Sequence, residues 1–596
     1  MSRVVVQASR AVRPVWILAA NRPSAQSISN TSVRGLRTYS SSRRSTFLPV
    51  ALQTSMHLRR FSIAALSTAV ASGAWYAYQG DAKVQSLVSH VRGFASSAVT
   101  SAHAEDPSDP TRRALLVSND QFYTTTLSED QPLAKTTDDS DRRVLNMLTP
   151  EQATEKLRKN EESLLVNRGN GVIRYDFSQV PSNSPIEDDH AEMIVEVPSD
   201  VAVNTSGNPN SDWNFWAVFD GHSGWTTSAK LRTKLIGYVA RELNETYKAA
   251  ATDASVLVPS SEAVDAAIKK GFVLLDHHIV NESVDKVLKA QSRRVAAELL
   301  APALSGSCAL LSFYDSDSKN LKVAVAGDSR AVLGRRGPSG KWTATPLSED
   351  QTGGTPSEIK RLREEHPGEP YVTRNGRILG QLEPSRSFGD ATYKWTKDIQ
   401  DKIKQQFFGR TPSPHLKTPP YVTAEPIITT TKIDPTQGDF VVMATDGLWE
   451  MLSNEEVVGL VGSWLEQQQS GNGGSKAWLQ SWFGFEQKKL PVEAANDAST
   501  EGQRRPIRQQ QYDISGAESR FVVEDKNAAT HLIRNAMGGK DRDMVSALLT
   551  LPSPYSRRYR DDVTVEVIFF GQGPDSRTVA INKEATAEQE AAKAKL

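Results

Sequence analysis

Five short acidic clusters, each placed at the end of an apolar run, constrain this chain most: Pro185-Ile186-Glu187-Asp188-Asp189-His190, Phe219-Asp220-Gly221-His222, Ala326-Gly327-Asp328-Ser329-Arg330, Thr445-Asp446-Gly447-Leu448-Trp449-Glu450 and Arg560-Asp561-Asp562. Apolar strands that stop at carboxylates can project them together at one rim of a sheet. Such an oxygen-rich rim suits hard divalent cations, because Mg²⁺ and Mn²⁺ prefer carboxylate, carbonyl and water oxygen. Metal-assisted hydrolysis is the chemistry to expect first.

Phe215–Phe219 and Phe440–Ala444 are continuous apolar runs that suit buried strands, and the Asp-Gly after each favours that reading over a helix. Glycine there can take positive φ and let the backbone approach a ligand closely. Leu321–Val325 and Ala331–Leu333 read as strands joined by a tight turn with Asp328 at its tip. Val563, Val565 and Ile568, followed by Phe569 and Phe570, give a largely alternating strand directly after Asp561 and Asp562. Leu231, Leu235, Val239 and Leu243 share one helical face, as do Val264, Ile268, Phe272, Leu275 and Ile279, and two such helices would cover a sheet. Strands interspersed with long helices point to an α+β layered fold.

Taken in order, Glu187-Asp188, Asp220-Gly221-His222, Gly306-Ser307-Cys308-Ala309, Gly327-Asp328-Ser329-Arg330, Ser385-Arg386-Ser387-Phe388-Gly389-Asp390, Thr423-Ala424-Glu425-Pro426, Asp446-Gly447 and Asp561-Asp562 resemble the motifs of the metal-dependent type 2C (PPM) serine/threonine protein phosphatases. The resemblance implies a β-sandwich of two mainly antiparallel sheets flanked by helices on both faces. Segments such as Asn183–Asp188, Asn527–Arg534 and Tyr559–Asp562 are similar to the mitochondrial pyruvate dehydrogenase phosphatase subgroup. The phosphorylated pyruvate dehydrogenase complex is therefore the implied phosphoprotein substrate. Another mitochondrial phosphoprotein, or a catalytically inactive scaffold, is the competing reading.

By that resemblance Glu187, Asp220, the Gly221 carbonyl, Asp446 and Asp561 hold two Mg²⁺ or Mn²⁺ ions, and a water activated between them attacks the phosphate in line. Two adjacent dications need several carboxylates to neutralise them, which four such acids would supply. Asp188 matches an acid that orients water. Asp328, with Glu450 as helper, matches the holder of a third, weaker ion. His222 matches a general acid; its near-neutral pKa suits proton donation to a departing serine oxygen. Where many relatives carry a phosphate-gripping arginine, this chain has Asn183. Arg386 and His190 are expected to be structural, and Asp189 to be solvated.

Lys plus Arg and Asp plus Glu each number 70, so no net field favours nucleic acid. Cys308 is the lone cysteine, which excludes an intramolecular disulfide and a Cys-rich zinc site. Residues 1–60 read as a mitochondrial transit peptide, because the first 80 residues hold ten Arg, no Lys and no acid. Residues 61–80 are uncharged and long enough to span a bilayer; an inner-membrane anchor and a presequence remnant both fit. An anchor with Arg59 and Arg60 inside would leave the domain in the intermembrane space, whereas the implied substrate favours the matrix. Beyond lie a polar linker, 81–145, and the phosphatase-like domain, 146–572, with a Gln/Gly/Ser-rich insertion at 467–519 expected to be disordered. Residues 573–596 form a polar tail.

Overall fold

Alternation along each apolar run sends successive side chains into different cores. In the strand Asp212–Phe219, Trp213, Phe215, Ala217 and Phe219 enter one cluster, and Trp216 and Val218 enter another. Phe440–Ala444 does the same, with Phe440, Val442 and Ala444 on one side and Val441 and Met443 on the other. Strands apolar on both faces must be covered on both faces.

The computed structural model describes residues 111–117, 122–128, 143–197, 211–252, 258–471, 489–493, 503–507 and 518–588. A five-stranded sheet has the order Ile427–Lys432, Asn320–Ala326, Ala309–Asp315, Asp212–Phe219, Asp189–Glu196. A seven-stranded sheet has the order Trp342–Pro346, Arg330–Arg336, Phe440–Ala444, Val563–Phe570, Val172–Val180, Glu162–Arg168, Asp575–Ile581. Every pairing in both sheets is antiparallel.

Side chains from both sheets share the inner core, among them Trp216, Leu310, Val323, Met443 and Ile568. The helices Thr226–Thr252 and Ser261–His277 pack with the outer face of the five-stranded sheet, and the apolar faces expected of them are buried there. Asn454–Gly471, Ala528–Ala536 and Arg542–Thr550 cover the seven-stranded sheet. The result is the expected four-layer sandwich.

The turn at Gly327–Ser329 differs from a hairpin. Asn320–Ala326 lies in one sheet and Arg330–Arg336 in the other, so this turn carries the chain across the sandwich. Gly327 makes the crossing at φ +125°, where a Cβ would stand 2.3 Å from the Cys308 sulfur. Thr149 and Gln152 close a reciprocal capping box on the helix Pro150–Arg158.

Two boundaries move. Part of the expected linker is folded: Thr111–Val117 pairs with Phe122–Ser128 and Arg143–Asn146. Leu115 and Val117 join the core of the seven-stranded sheet. These few apolar residues are diluted by polar neighbours when composition is averaged. The tail is partly folded as well, because Asp575–Ile581 pairs with Glu162–Arg168 as an edge strand. A polar edge strand is what solubility favours, so composition alone disguises it.

Within the insertion, Pro491 and Glu493 bond the backbone of Trp342, and residues 503–507 are also placed. Residues 472–488, 494–502 and 508–517 of the insertion, the expected transit peptide at 1–60 and residues 61–80 lie outside the described residues. Among the described residues no helix is long and apolar enough to cross a membrane.

Glu566 breaks the apolar pattern of its strand. It is fully buried, and neither carboxylate oxygen meets a protein partner. Burial, and then the charge of Glu192, push its carboxyl well above the ordinary range. A raised carboxyl pKa makes its stability contribution complete below the unfolded value and lost as pH rises through the native one. Glu566→Gln should therefore raise unfolding stability by about 1–3 kcal/mol at pH 8 and by little at pH 5. Urea midpoints at the two pH values measure this, and an equal change at both would contradict it.

Candidate metal centre and active site

Both sheets deliver acids to the same end of the sandwich. Asp220 follows the last residue of Asp212–Phe219, and Asp446 lies two residues beyond Phe440–Ala444. Asp188 immediately precedes Asp189–Glu196, Asp561 and Asp562 precede Val563–Phe570, and Asp328 sits in the crossing turn. Antiparallel pairing is what puts these C-terminal and N-terminal strand ends together.

The two Asp-Gly glycines have a different purpose from the one their sequence suggests. Neither Gly221 nor Gly447 is among the positive-φ residues. Each instead permits close approach: a Cβ on Gly221 would lie 2.0 Å from the Glu187 carbonyl oxygen, and one on Gly447 would lie 2.1 Å from that of Asp562. Those contacts hold the Glu187 loop against Asp220, and the Asp446 turn against Asp562.

Across the sandwich, the Asp446 N–H donates to Asp220 Oδ2 at 3.3 Å. Asp188 is buried, and its Oδ2 accepts from the hydroxyls of Thr445 at 2.9 Å and Thr564 at 2.7 Å. Glu187 accepts from the Gly224 N–H at 2.6 Å and from Asn183 Nδ2 at 3.3 Å.

The crowding is costly without cations. Burial, followed by neighbouring carboxylates, raises Asp188 and Asp220 well above the usual range. Burial together with Asp328 and Glu450 pushes Asp446 up to about 7. Its Oδ1 is shut off from solvent and lacks a protein partner. An all-oxygen set that is hard to ionise, with an orphaned carboxylate oxygen, fits hard dications.

Among the described residues no three such side chains are already gathered at metal-ligand spacing. Asp561 is instead ion-paired to Arg557, four residues earlier.

His222 Nε2 lies 2.7 Å from Asp390 Oδ2, which also accepts from the Ser387 hydroxyl at 2.5 Å. Burial disfavours the imidazolium, but Asp390, Asp328 and Glu187 outweigh it and raise the His222 pKa. Against its own burial, His222 and Ser387 hold Asp390 below the ordinary value.

Cys308 is buried and its thiol donates to Asp328 Oδ1 at 3.2 Å. Burial and two aspartates push that thiol well up, which leaves it no nucleophile. Arg386 is tied to Glu358 and to the Glu425 carbonyl within the fold. His190 stacks on Phe177 and bonds Glu192. Asp189 is paired with Arg232 at 3.1 Å rather than simply solvated.

Sequence reading missed the supporting groups. Asp562 Oδ1 accepts the backbone N–H of Ser182 and Asn183, and Oδ2 accepts that of Glu187 at 2.9 Å, so this acid shapes the Glu187 loop. Asp390 was visible in its motif, but no spacing ties it to His222, 168 residues away. Arg504 comes from the insertion and reaches Glu383 at 2.9 Å and Glu450 at 3.9 Å.

The family model for protein phosphatase 2C matches residues 194–480. A protein phosphatase 2C homologue of Schizosaccharomyces pombe is 46% identical over 420 residues, which are 70% of this chain and 85% of that protein. The mitochondrial [pyruvate dehydrogenase [acetyl-transferring]]-phosphatase 1 of Saccharomyces cerevisiae is 44% identical, over 75% of this chain and 76% of its own. The human mitochondrial phosphatase 2 of that name is 31% identical, over 71% and 83% respectively.

Proposed function

The chain belongs to the protein phosphatase 2C family of metal-dependent protein-serine/threonine phosphatases, and from that premise we propose that its substrate is the phosphorylated pyruvate dehydrogenase complex of mitochondria. The observation that carries the chemistry is the set of mutually repelling carboxylates Asp188, Asp220 and Asp446, supplied by strand ends of both sheets. The target is supported by the two relatives named for it. The Arg-rich, acid-free first 80 residues support the organelle. Action on that complex requires the matrix side, so an anchor facing the intermembrane space is the disfavoured arrangement.

Glu187, Asp220, the Gly221 carbonyl, Asp446 and Asp561 would hold two Mg²⁺ or Mn²⁺ ions, with Asp561 released from Arg557 to do so. When bound, such ions neutralise phosphoryl oxygens and lower the pKa of water toward neutrality. With Asp188 Oδ2 committed to Thr445 and Thr564, its Oδ1 is left to orient the attacking water. With Nε2 of His222 committed to Asp390, Nδ1 is left to give a proton to the departing serine or threonine oxygen. Asn183 is neutral, so phosphate binding relies on the cations more than on an arginine at that place.

The test has two arms. Purified chain with Mg²⁺ or Mn²⁺ should dephosphorylate the phosphorylated complex, and EDTA should remove that activity. Loss of the chain from intact mitochondria should leave the complex hyperphosphorylated. Activity that survives exhaustive demetallation would refute the mechanism, and an unchanged phosphorylation level in mitochondria would refute the target and its matrix location.

A further inference from the structure

The acids that match the holder of a third, weaker ion already face a cation of the chain's own. Gln503 and Arg504 belong to the insertion, yet they are seated on a buried platform beside the crossing turn. Arg330, Asp350 and Asn454 form that platform and are almost wholly buried. The Arg330 guanidinium donates to Asp350 and Asn454. The Arg504 N–H donates to Asp350 Oδ2 at 2.9 Å, and its carbonyl accepts from Arg330 Nη2 at 3.0 Å. Gln503 Nε2 donates to the Ser348 carbonyl at 2.9 Å.

Backbone bonds therefore fix where the Arg504 side chain starts. Its Nη1 lies 2.9 Å from Glu383 and its Nη2 lies 3.9 Å from Glu450. Burial works against its charge, but Glu383, Asp446, Glu450 and Asp328 together outweigh that and raise its pKa. Two of those four acids, Asp328 and Glu450, are the ones matched to a third, weaker ion, and Asp446 is one of those matched to the two core ions.

We propose that the Arg504 guanidinium occupies the place of the third divalent ion, so that this site takes two dications and a built-in organic cation. The inference rests on the phosphatase reading above. A cation tethered on a docked segment is presented at an effective concentration of the order of mM. A weakly held ion cannot displace it. The insertion thereby becomes part of the active site.

Counting bound Mn²⁺ tests this, by titrating the full chain and following free Mn²⁺ by electron paramagnetic resonance. The unmodified chain should bind about two ions, Arg504→Gln about three, and Arg504→Lys about two. Adding Asp328→Asn to Arg504→Gln should return the count to about two. Asp328→Asn alone should leave it unchanged, which keeps the test available if Arg504→Gln does not fold. A third ion in the unmodified chain, no added ion in Arg504→Gln, or a lower count in Asp328→Asn would each overturn the proposal. An unmodified chain that binds no Mn²⁺ would overturn the phosphatase reading itself, and this inference with it.

Discussion

Asp446→Asn is expected to lower phosphatase activity by about 10³-fold or more and, in metal-free protein, to make the domain more stable above neutral pH. Lewis-acid stabilisation of a phosphoryl group is worth several kcal/mol, and each 1.36 kcal/mol is tenfold in rate. The stability half of the result follows from the same charge. Burial, Asp328 and Glu450 push Asp446 up to about 7. A carboxyl raised in the folded state contributes stability that is complete below its unfolded pKa and lost as pH rises through the native value. Asparagine removes that loss. Asp220→Asn should behave alike, since burial and then Asp446 raise it. Turnover of a phosphoserine peptide and melting temperature in EDTA at pH 8 check the two halves. A variant that loses activity because it unfolds would contradict the argument, as would one within tenfold of full activity.

His222→Ala should slow hydrolysis of a phosphoserine peptide by ~10²–10⁴-fold and of p-nitrophenyl phosphate by less than about tenfold. A serine alkoxide is a poor leaving group and needs a proton, whereas p-nitrophenolate departs without one. The acid must carry its proton, so the rate should fall as pH rises through the His222 pKa. Asp390 raises that pKa. Asp390→Asn should consequently move the alkaline limb of the pH profile to lower pH. Equal losses on both substrates would remove His222 from the acid role, and an unmoved limb would remove Asp390 from its support.

The strand cores and the acids at their ends were legible because both depend on local pattern. A run such as Phe440–Ala444 states its own burial, and Asp446 states its own place at the run's end. What stayed hidden depends on contacts between distant residues. The clamp of Asp562 on the Glu187 loop joins positions 375 residues apart, and no local pattern encodes it. The role of Gly221 was half-read: its importance shows in the Asp-Gly pair, but its reason is proximity to Glu187 rather than a positive φ. Polar composition hid the strands Thr111–Val117 and Asp575–Ile581 for opposite reasons, the first diluted by its neighbours and the second exposed at an edge. Arg504 was hidden by low-complexity surroundings that draw attention from any single residue within them.

The strand that closes the site is made after five of the other six strands of its sheet. Val563–Phe570 lies between Phe440–Ala444 and Val172–Val180, and so joins the two halves of the seven-stranded sheet. Asp561 and Asp562 stand at its head. A nascent chain that stops short of this strand has two unjoined half-sheets and lacks one proposed ion-holding acid. The Glu187 loop is then also without the carboxylate that shapes it. Such long-range closure delays the final fold until the whole barrier of chain closure has been met. The order of synthesis thus acts as a timer: the site cannot be complete until residues 561–570 have been made and have joined the two half-sheets.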